Sequence, residues 1–242
     1  VLILDVTDPW KPVYVGSENN NYCHDSYVRD NFLSTIDIYN GQFSIYDIYN
    51  LSSPVLQATQ LTPGLFNHNT WLSDDGRTLF AADEKANEPL ASFDISDFGN
   101  ISLLDTFYNG NFTSNEVHNV RVINDYVICP SYGSQLTIVD GARPRNMIEV
   151  ANYPTGGYLC WDADPYTTSG VIIATDMTGI FYVFEPVYQR ACYLEGIVTD
   201  SVTGTTLNGV EVAILGTGII AQTNPLGEFY TGYADAGTYS IT

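Results

Sequence analysis

The chain has 242 residues and carries 28 acidic against 8 basic side chains, which gives a formal net charge of −20 at pH 7. This charge argues against nucleic acid or an anionic membrane surface as a partner, because both attract basic proteins. Aromatic residues make up 13% of the sequence, and no apolar run reaches the roughly 18 residues that a membrane-spanning helix needs. We therefore expect an extracellular all-β protein without direct membrane insertion.

A short apolar run that ends in an acidic residue occurs five times along the chain. Its spacing of about 45 residues is the period of a β-propeller blade, a four-stranded unit that buries its apolar faces only against neighbouring blades. We expect the acids to accept backbone N–H groups in the turns that follow them. They are Asp5, Asp47, Asp94, Asp140 and Glu185.

A second signature divides the repeats into blades. His24-Asp25, His68-Asn69, His118-Asn119 and Trp161-Asp162 each open a unit of alternating apolar and polar segments separated by polar turns, the pattern of antiparallel hairpins. The propeller is predicted to span residues 1–190, with a partial first blade at 1–18 and further blades from about 19, 62, 110 and 154. Because residues 1–18 provide only two strands, further blades are expected upstream of Val1. The alternative is that these two strands complete an unusually small ring.

The composition changes after Cys192, where Gly and Thr become frequent and the blade signature stops. Alternating segments around the turns at Thr203-Gly204 and Asn224 to Gly227 predict short hairpins. We expect residues 191–242 to form a small Ig-like or prealbumin-like β-sandwich that is truncated.

A pattern of small, apolar and turn-forming residues runs through this C-terminal region. Its positions are Gly196, Val198, Asp200, Thr203, Gly204, Leu207, Gly209, Val210 and Val212, followed by Thr223, Gly227, Phe229, Gly237 and Tyr239. In this pattern the region resembles the carboxypeptidase-regulatory-like, prealbumin-type domains of bacterial surface proteins. The resemblance implies an architectural role, as a spacer or adhesive stalk.

Three segments of the propeller region are distinctive, namely LILDVTDPWKPVYVG at 2–16, HNTWLSDDGRTLFAADE at 68–84 and VHNVRVINDYVI at 117–128. Through these segments, residues 1–186 resemble the LVIVD-repeat proteins, in particular the choice-of-anchor B group of secreted bacterial proteins. The resemblance implies a secreted or outer-membrane-surface propeller with an anchoring signal further along the chain. It implies no biochemical activity, so function has to be inferred from the site.

All three histidines of the chain occupy the same position in their blades. The first strand of a blade lines the central channel, and the end of the antiparallel second strand lies beside its beginning. Imidazoles next to carboxylates around one axis predict a site for one divalent cation, calcium or a transition metal. The core ligands would be His24, His68 and His118, and the carboxylates beside these positions and the fourth opening are Asp37, Asp83, Glu84, Asp162 and Asp176.

Two other interpretations of the histidines remain open. They could fasten each blade to the next through hydrogen bonds, or they could line a pocket for a small molecule or glycan. The sequence contains no G-x-S-x-G, H-E-x-x-H or glycine-rich phosphate motif. We therefore expect an interaction or scaffold protein that presents a rigid face to a cell-surface protein, a glycan or a neighbouring subunit. The alternative is a secreted metal-dependent hydrolase that uses the same histidines.

Overall fold

The computed structural model describes residues 1–19, 21–108, 116–133, 135–156 and 159–242. Over these ranges the protein is all-β, and no helix in them is long and apolar enough to cross a membrane. In chain order the strands are β1 (Leu2–Asp5), β2 (Val13–Ser17), β3 (Asp25–Arg29), β4 (Phe32–Asp37), β5 (Gln42–Asp47), β6 (Val55–Leu61), β7 (Asn67–Leu72), β8 (Thr78–Asp83), β9 (Leu90–Asp94), β10 (Ser102–Phe107), β11 (Glu116–Val117), β12 (Arg121–Ile123), β13 (Tyr126–Tyr132), β14 (Gln135–Asp140), β15 (Ile148–Pro154), β16 (Cys160–Asp164), β17 (Ile172–Asp176), β18 (Phe181–Phe184), β19 (Cys192–Ile197), β20 (Glu211–Ile214), β21 (Ile219–Gln222) and β22 (Glu228–Tyr233).

Four antiparallel sheets form the blades of a β-propeller, which confirms the predicted architecture. The blades are numbered here from the first four-stranded sheet, after residues 1–18. The first blade has the strand order β3-β4-β5-β6 and the second has β7-β8-β9-β10. In the third blade β11 and β12 both pair with β13, which continues to β14 and β15, and the fourth blade contains β16, β17 and β18. The strands β1 and β2 form a separate two-stranded sheet within residues 1–18.

The apolar core lies between the blades. Successive side chains of a strand point to opposite faces of its sheet, and β8 is buried on both faces. Leu79 and Ala81 pack against the first blade, whereas Phe80 and Ala82 pack against the third. A similar cluster joins the third and fourth blades. No blade can bury its apolar surface alone, which is the physical reason for the repeat.

The innermost strands are irregular where the repeated His or Trp occurs. In the second blade the β7–β8 pairing passes from Asn67 to Asn69, which leaves His68 as the extra residue of a β-bulge. Trp161 is the extra residue of the same irregularity in the fourth blade. In the third blade His118 lies between β11 and β12. Bulges redirect side chains, so the irregular strands aim these residues away from the regular ladder.

The residue that follows each of these His or Trp residues in sequence connects neighbouring blades. Asn69 is buried and donates its Nδ2 to Asp25 Oδ2 at 2.6 Å, while its Oδ1 accepts the backbone N–H of Val120 at 2.9 Å. Asn119 donates to the carbonyl oxygen of Trp161 at 3.1 Å. Through one amide side chain, Asn69 therefore joins the first, second and third blades.

Four of the five repeated acids accept hydrogen bonds from the turns that follow them. The carboxylate accepts the backbone N–H of the residue two positions later at Asp5, Asp47, Asp94 and Asp140. Asp140 differs from the others because it is fully buried and also pairs with Arg190 at 2.5 Å. Within the described ranges, Glu185 lies directly after β18 in the outer part of the fourth blade.

The region after the propeller contains two two-stranded sheets, β19 with β22 and β20 with β21. Asp200 caps its first turn by accepting the N–H groups of Val202 and Thr203 at 2.9 and 2.7 Å. Gly204 completes that turn with a φ of 72°, a conformation that favours glycine. The pairing differs from the predicted hairpins, because β19 pairs with the distant β22 rather than across Thr203-Gly204, and β20 pairs with β21 around residues 215–218. Assembly of this region into a β-sandwich over 191–242 stays a prediction.

Candidate metal centre

All three histidines meet at one place among the first three blades. The ring centroids of His24 and His68 are 4.6 Å apart, and those of His68 and His118 are 4.1 Å apart. His68 and His118 are buried, whereas His24 is exposed. The cluster therefore opens to solvent on the side of His24.

Glu84, which directly follows β8, supplies a carboxylate to the cluster. Its Oε1 lies 3.6 Å from His118 Nε2, and its Oε2 lies 3.8 Å from His68 Nε2. One ligand atom from each of His24, His68 and Glu84 falls within 4.8 Å of the others. Burial raises the pKa of Glu84, and the charge of His24 opposes this shift. One carboxylate thus faces two imidazole nitrogens at the same time.

The hydrogen bond of His118 determines its tautomer. Its Nδ1 lies 2.7 Å from the carbonyl oxygen of Trp161, which can only accept, so Nδ1 carries the proton. Burial lowers the pKa of His118, which keeps the ring neutral and leaves a lone pair on Nε2 facing Glu84. His118 therefore fastens the third blade to the fourth with one nitrogen and offers the other to a ligand, the arrangement typical of metal-binding histidines.

The second imidazole is also held in its neutral form. Burial lowers the pKa of His68 to about 4, and the nearby imidazoles of His118 and His24 lower it further, because two adjacent rings resist carrying positive charge together. Its Nδ1 is buried and has no hydrogen-bond partner among the described residues. A neutral imidazole can bind a metal ion without first losing a proton, so His68 is suited to that role at neutral pH.

The spacing of the donor atoms fits a transition-metal ion. Tetrahedral coordination with bonds of about 2.1 Å separates neighbouring donors by roughly 3.4 Å. The contacts of Glu84 with His118 and His68, at 3.6 and 3.8 Å, are close to that value. Calcium prefers six to eight oxygen ligands, so three nitrogens and one carboxylate favour a transition metal over calcium.

The other carboxylates predicted beside the histidines of the first two blades lie outside the cluster. Asp37 accepts two hydrogen bonds from Asn40, at 3.1 Å from the backbone N–H and 2.6 Å from Nδ2. Asp83 accepts the Thr62 hydroxyl at 2.5 Å and two backbone N–H groups from residues 64 and 66. Both side chains are buried, and these contacts hold local loops in place.

The two predicted carboxylates of the fourth blade are also engaged elsewhere. Asp162 pairs with Arg121 at 2.7 Å. Asp176 accepts the backbone N–H groups of Leu159 and Thr178 at 3.1 and 2.8 Å. The structure therefore brings together four of the eight predicted ligands, namely His24, His68, His118 and Glu84.

Tyr132 is a residue of this site that the sequence analysis did not identify. The hydroxyl of Tyr132 lies near Glu84 and opposes the rise that burial causes in the pKa of this carboxyl group. The rings of Tyr132 and Trp161 each lie 4.6 Å from the ring of His118. The sequence signal for Tyr132 is its place at the end of the second strand of its blade, which corresponds to that of Glu84, since Tyr126 and Thr78 pair with the equivalent acids Asp140 and Asp94.

No protein-family model matches this sequence, and no curated protein sequence matches it. Among solved structures, the chain is similar to a protein from Lactobacillus plantarum, with a TM-score of 0.62, 13% identity, and coverage of 95% of this chain and 67% of that chain. It is also similar to a periplasmic gluconolactonase of Pseudomonas aeruginosa, with a TM-score of 0.59, 13% identity, and coverage of 85% and 61%. The computationally designed Ika4 protein has a TM-score of 0.53 at 8% identity, with coverage of 70% and 94%. At these identities the similarities show the propeller fold alone, and the chain spans about two thirds of the two natural proteins.

Proposed function

We propose that this protein is a secreted or cell-surface interaction module whose propeller binds one divalent transition-metal ion at His24, His68, His118 and Glu84. The contact that carries this proposal is the one between His118 Nε2 and Glu84 Oε1. Because Nδ1 of His118 holds the proton, two hydrogen-bond acceptors face each other at 3.6 Å. A cation between the two atoms would relieve their mutual repulsion.

An aromatic rim beside the cluster supports a role in binding a partner. Tyr22 and Tyr39 are 53% and 74% exposed and have ring centroids 4.9 Å apart, and Tyr22 lies 6.5 Å from His24. Trp161, on the opposite side of the histidines, is 44% exposed. Exposed Tyr and Trp side chains are enriched at recognition surfaces because they combine a large apolar area with a polar group.

Charge and sequence resemblance support the proposed location. A net charge of −20 favours solubility outside the cell and discourages adsorption to anionic surfaces. The resemblance to the LVIVD-repeat, choice-of-anchor B and carboxypeptidase-regulatory-like proteins supports a propeller carried on a β-sandwich stalk. In this arrangement the aromatic rim would face a cell-surface glycan or protein.

Metal analysis of the purified protein tests the proposal directly. We expect one equivalent of a transition metal by mass spectrometry, and saturable binding of Zn²⁺ by titration calorimetry after chelation. The variant Glu84→Gln should bind Zn²⁺ about 10- to 100-fold more weakly. Glu88→Gln is the matched control, because Glu88 pairs with Lys85 and its removal changes the net charge by the same amount.

The expected pattern is weaker binding in Glu84→Gln and unchanged binding in Glu88→Gln. Circular dichroism of each variant confirms that the fold is retained. The metal centre would be refuted if the wild-type protein, correctly folded, showed no saturable binding of Zn²⁺, Co²⁺ or Ni²⁺.

A metal-dependent hydrolase is the second candidate function. It is favoured by the exposed His24, because a bound ion reached from solvent can keep an open position for water. Sugar lactones are a reasonable first substrate set, since one protein of similar fold is a gluconolactonase. Hydrolysis by the Zn²⁺-loaded protein, lost in the Glu84→Gln variant, would support this function. Metal binding without hydrolysis would favour the interaction module instead.

A further inference from the structure

A second site lies away from the histidines, where the second and third blades meet the C-terminal region. The cavity there has a volume of about 540 Å³, and its lining includes Arg77, Arg143 and Arg145 together with Asp94, Glu195 and Tyr230. We call this cavity the arginine groove. It contains three of the 8 basic residues of a chain that has 28 acidic ones.

Two of these arginines are not neutralised by an ion pair. Arg143 pairs with Glu195 at 3.3 Å and stacks over the ring of Tyr193 at 4.6 Å. Arg77 and Arg145 form no ion pair within 4.0 Å among the described residues. The positive charges of both arginines act on the groove. The hydrogen bonds from Ser96 lower the pKa of Asp94, and Arg145 and Arg77 lower it further.

The loop that carries Arg143 and Arg145 is held rigidly. Ser92 donates to the carbonyl oxygen of Pro144 at 2.6 Å, and the N–H of Met147 donates to Asp105 at 2.7 Å. Between them, the buried Asn146 donates its Nδ2 to the carbonyl oxygen of Thr231 at 2.9 Å. The loop is thus fixed to both the second blade and the C-terminal region. A ligand would meet arginines whose backbone positions are already set, which lowers the entropic cost of binding.

We propose that the arginine groove binds an oxyanion group, namely the carboxylate, sulfate or phosphate of a small ligand. Guanidinium groups present planar pairs of donors that match such groups with two hydrogen bonds. Arg77 and Arg145 supply these donors. Asp94 is oriented by Ser96, since its Oδ1 accepts both the N–H and the hydroxyl of that residue, at 2.9 and 2.6 Å. Repulsion by the remainder of the acidic surface excludes large polyanions and favours small ligands.

Titration calorimetry at low ionic strength tests this site with three probes: inorganic sulfate, inorganic phosphate and D-galacturonate. We expect saturable binding of at least one probe, weakened at least tenfold in Arg145→Gln, because a charge-assisted hydrogen bond is lost. Lys11→Gln is the matched control, since it removes one positive charge from an exposed turn remote from the groove in sequence. Tighter binding of galacturonate than of both inorganic ions would identify a sugar acid as the source, and equal or weaker binding would identify the free oxyanion.

The arginine groove shares no residue with the proposed metal centre, so each proposal can be refuted without refuting the other. Glu84→Gln should retain wild-type affinity for the probe, which excludes binding through a metal ion at the histidines. The proposal would be overturned if folded wild-type protein bound none of the three probes. It would equally be overturned if Lys11→Gln weakened binding as much as Arg145→Gln did, because the effect would then be that of net charge.

Discussion

Asn69 donates a hydrogen bond to Asp25 at 2.6 Å and, on its other side, accepts the N–H of Val120 at 2.9 Å. The amide of one blade therefore connects the blades before and after it. The side chain is 2% exposed, so water cannot readily replace either partner. Loss of this amide would leave two buried or half-buried polar groups unsatisfied.

We expect Asn69→Ala to lower the free energy of unfolding by about 2–4 kcal/mol, because it removes two hydrogen bonds, one of them to a carboxylate. Urea denaturation measures the effect. Asn152→Ala is the control, since Asn152 is exposed and bonds only to nearby Glu149, and its loss should change stability by less than about 0.5 kcal/mol. Equal effects of the two substitutions would contradict the role of Asn69 in joining the blades.

The repeated acids should differ sharply in their contribution to stability. Asp140 is fully buried, pairs with Arg190 and accepts the N–H of Ala191 at 2.8 Å, whereas Asp94 caps an exposed turn. We expect Asp140→Ala to cost about 3–5 kcal/mol, as is typical when one partner of a buried ion pair is removed. Asp94→Ala should cost about 1 kcal/mol, the usual value for a lost cap. Thermal or urea unfolding of the two variants makes the comparison, and similar losses would show that burial of Asp140 does not matter.

Packing between blades predicts a large cost for removing Phe80. Its side chain is 0% exposed and lies between the second and third blades. We expect Phe80→Ala to reduce the free energy of unfolding by about 3–5 kcal/mol, because it removes buried apolar surface and leaves a cavity. Phe98→Ala is the control, since Phe98 is 39% exposed, and it should cost under about 1 kcal/mol by chemical denaturation. A small loss at Phe80 would indicate that the blades repack without it.

Asp105 should make stability depend on pH. Burial raises its pKa from 3.8 to about 6, although the N–H groups of Met147 and Thr106 oppose the shift. The native state therefore retains a proton that the unfolded chain releases, and this contribution to stability is complete below pH 3.8 and is lost as the pH rises through 6. Between pH 5 and 7.5, we expect the stability of wild type relative to Asp105→Asn to fall by roughly 1–1.5 kcal/mol.

Urea denaturation across this range, above the isoelectric point of about 4.1, measures the difference. Asp97→Asn, at an exposed turn, controls for the loss of one negative charge and should give a curve parallel to wild type. If the stability of Asp105→Asn depended on pH in the same way as that of the wild type, the Asp105 carboxyl would not hold a proton in the native state.

Much of the fold could be predicted from the sequence because its signals are local. The apolar runs that end in an acid depend on strand periodicity and on a turn of two or three residues, so they mark the ends of blade strands at Asp5, Asp47, Asp94 and Asp140. The period of about 45 residues reflects the number of strands that one blade needs. For the same reason, three histidines at equivalent blade positions had to approach a common axis.

Only the tertiary structure decided which carboxylate joins the histidines. Asp83 and Glu84 are adjacent in sequence, but loop residues 62–66 occupy the carboxylate of Asp83, and Glu84 is left facing His68 and His118. The β-bulge at His68 shifts the pairing of β7 with β8 by one residue and redirects the His68 side chain. No pattern in the sequence predicts this bulge. The arginine groove likewise draws Arg77 and Arg145 from different blades. Contacts between distant segments depend on how the blades pack, and the periodicity of a single blade carries no information about that packing.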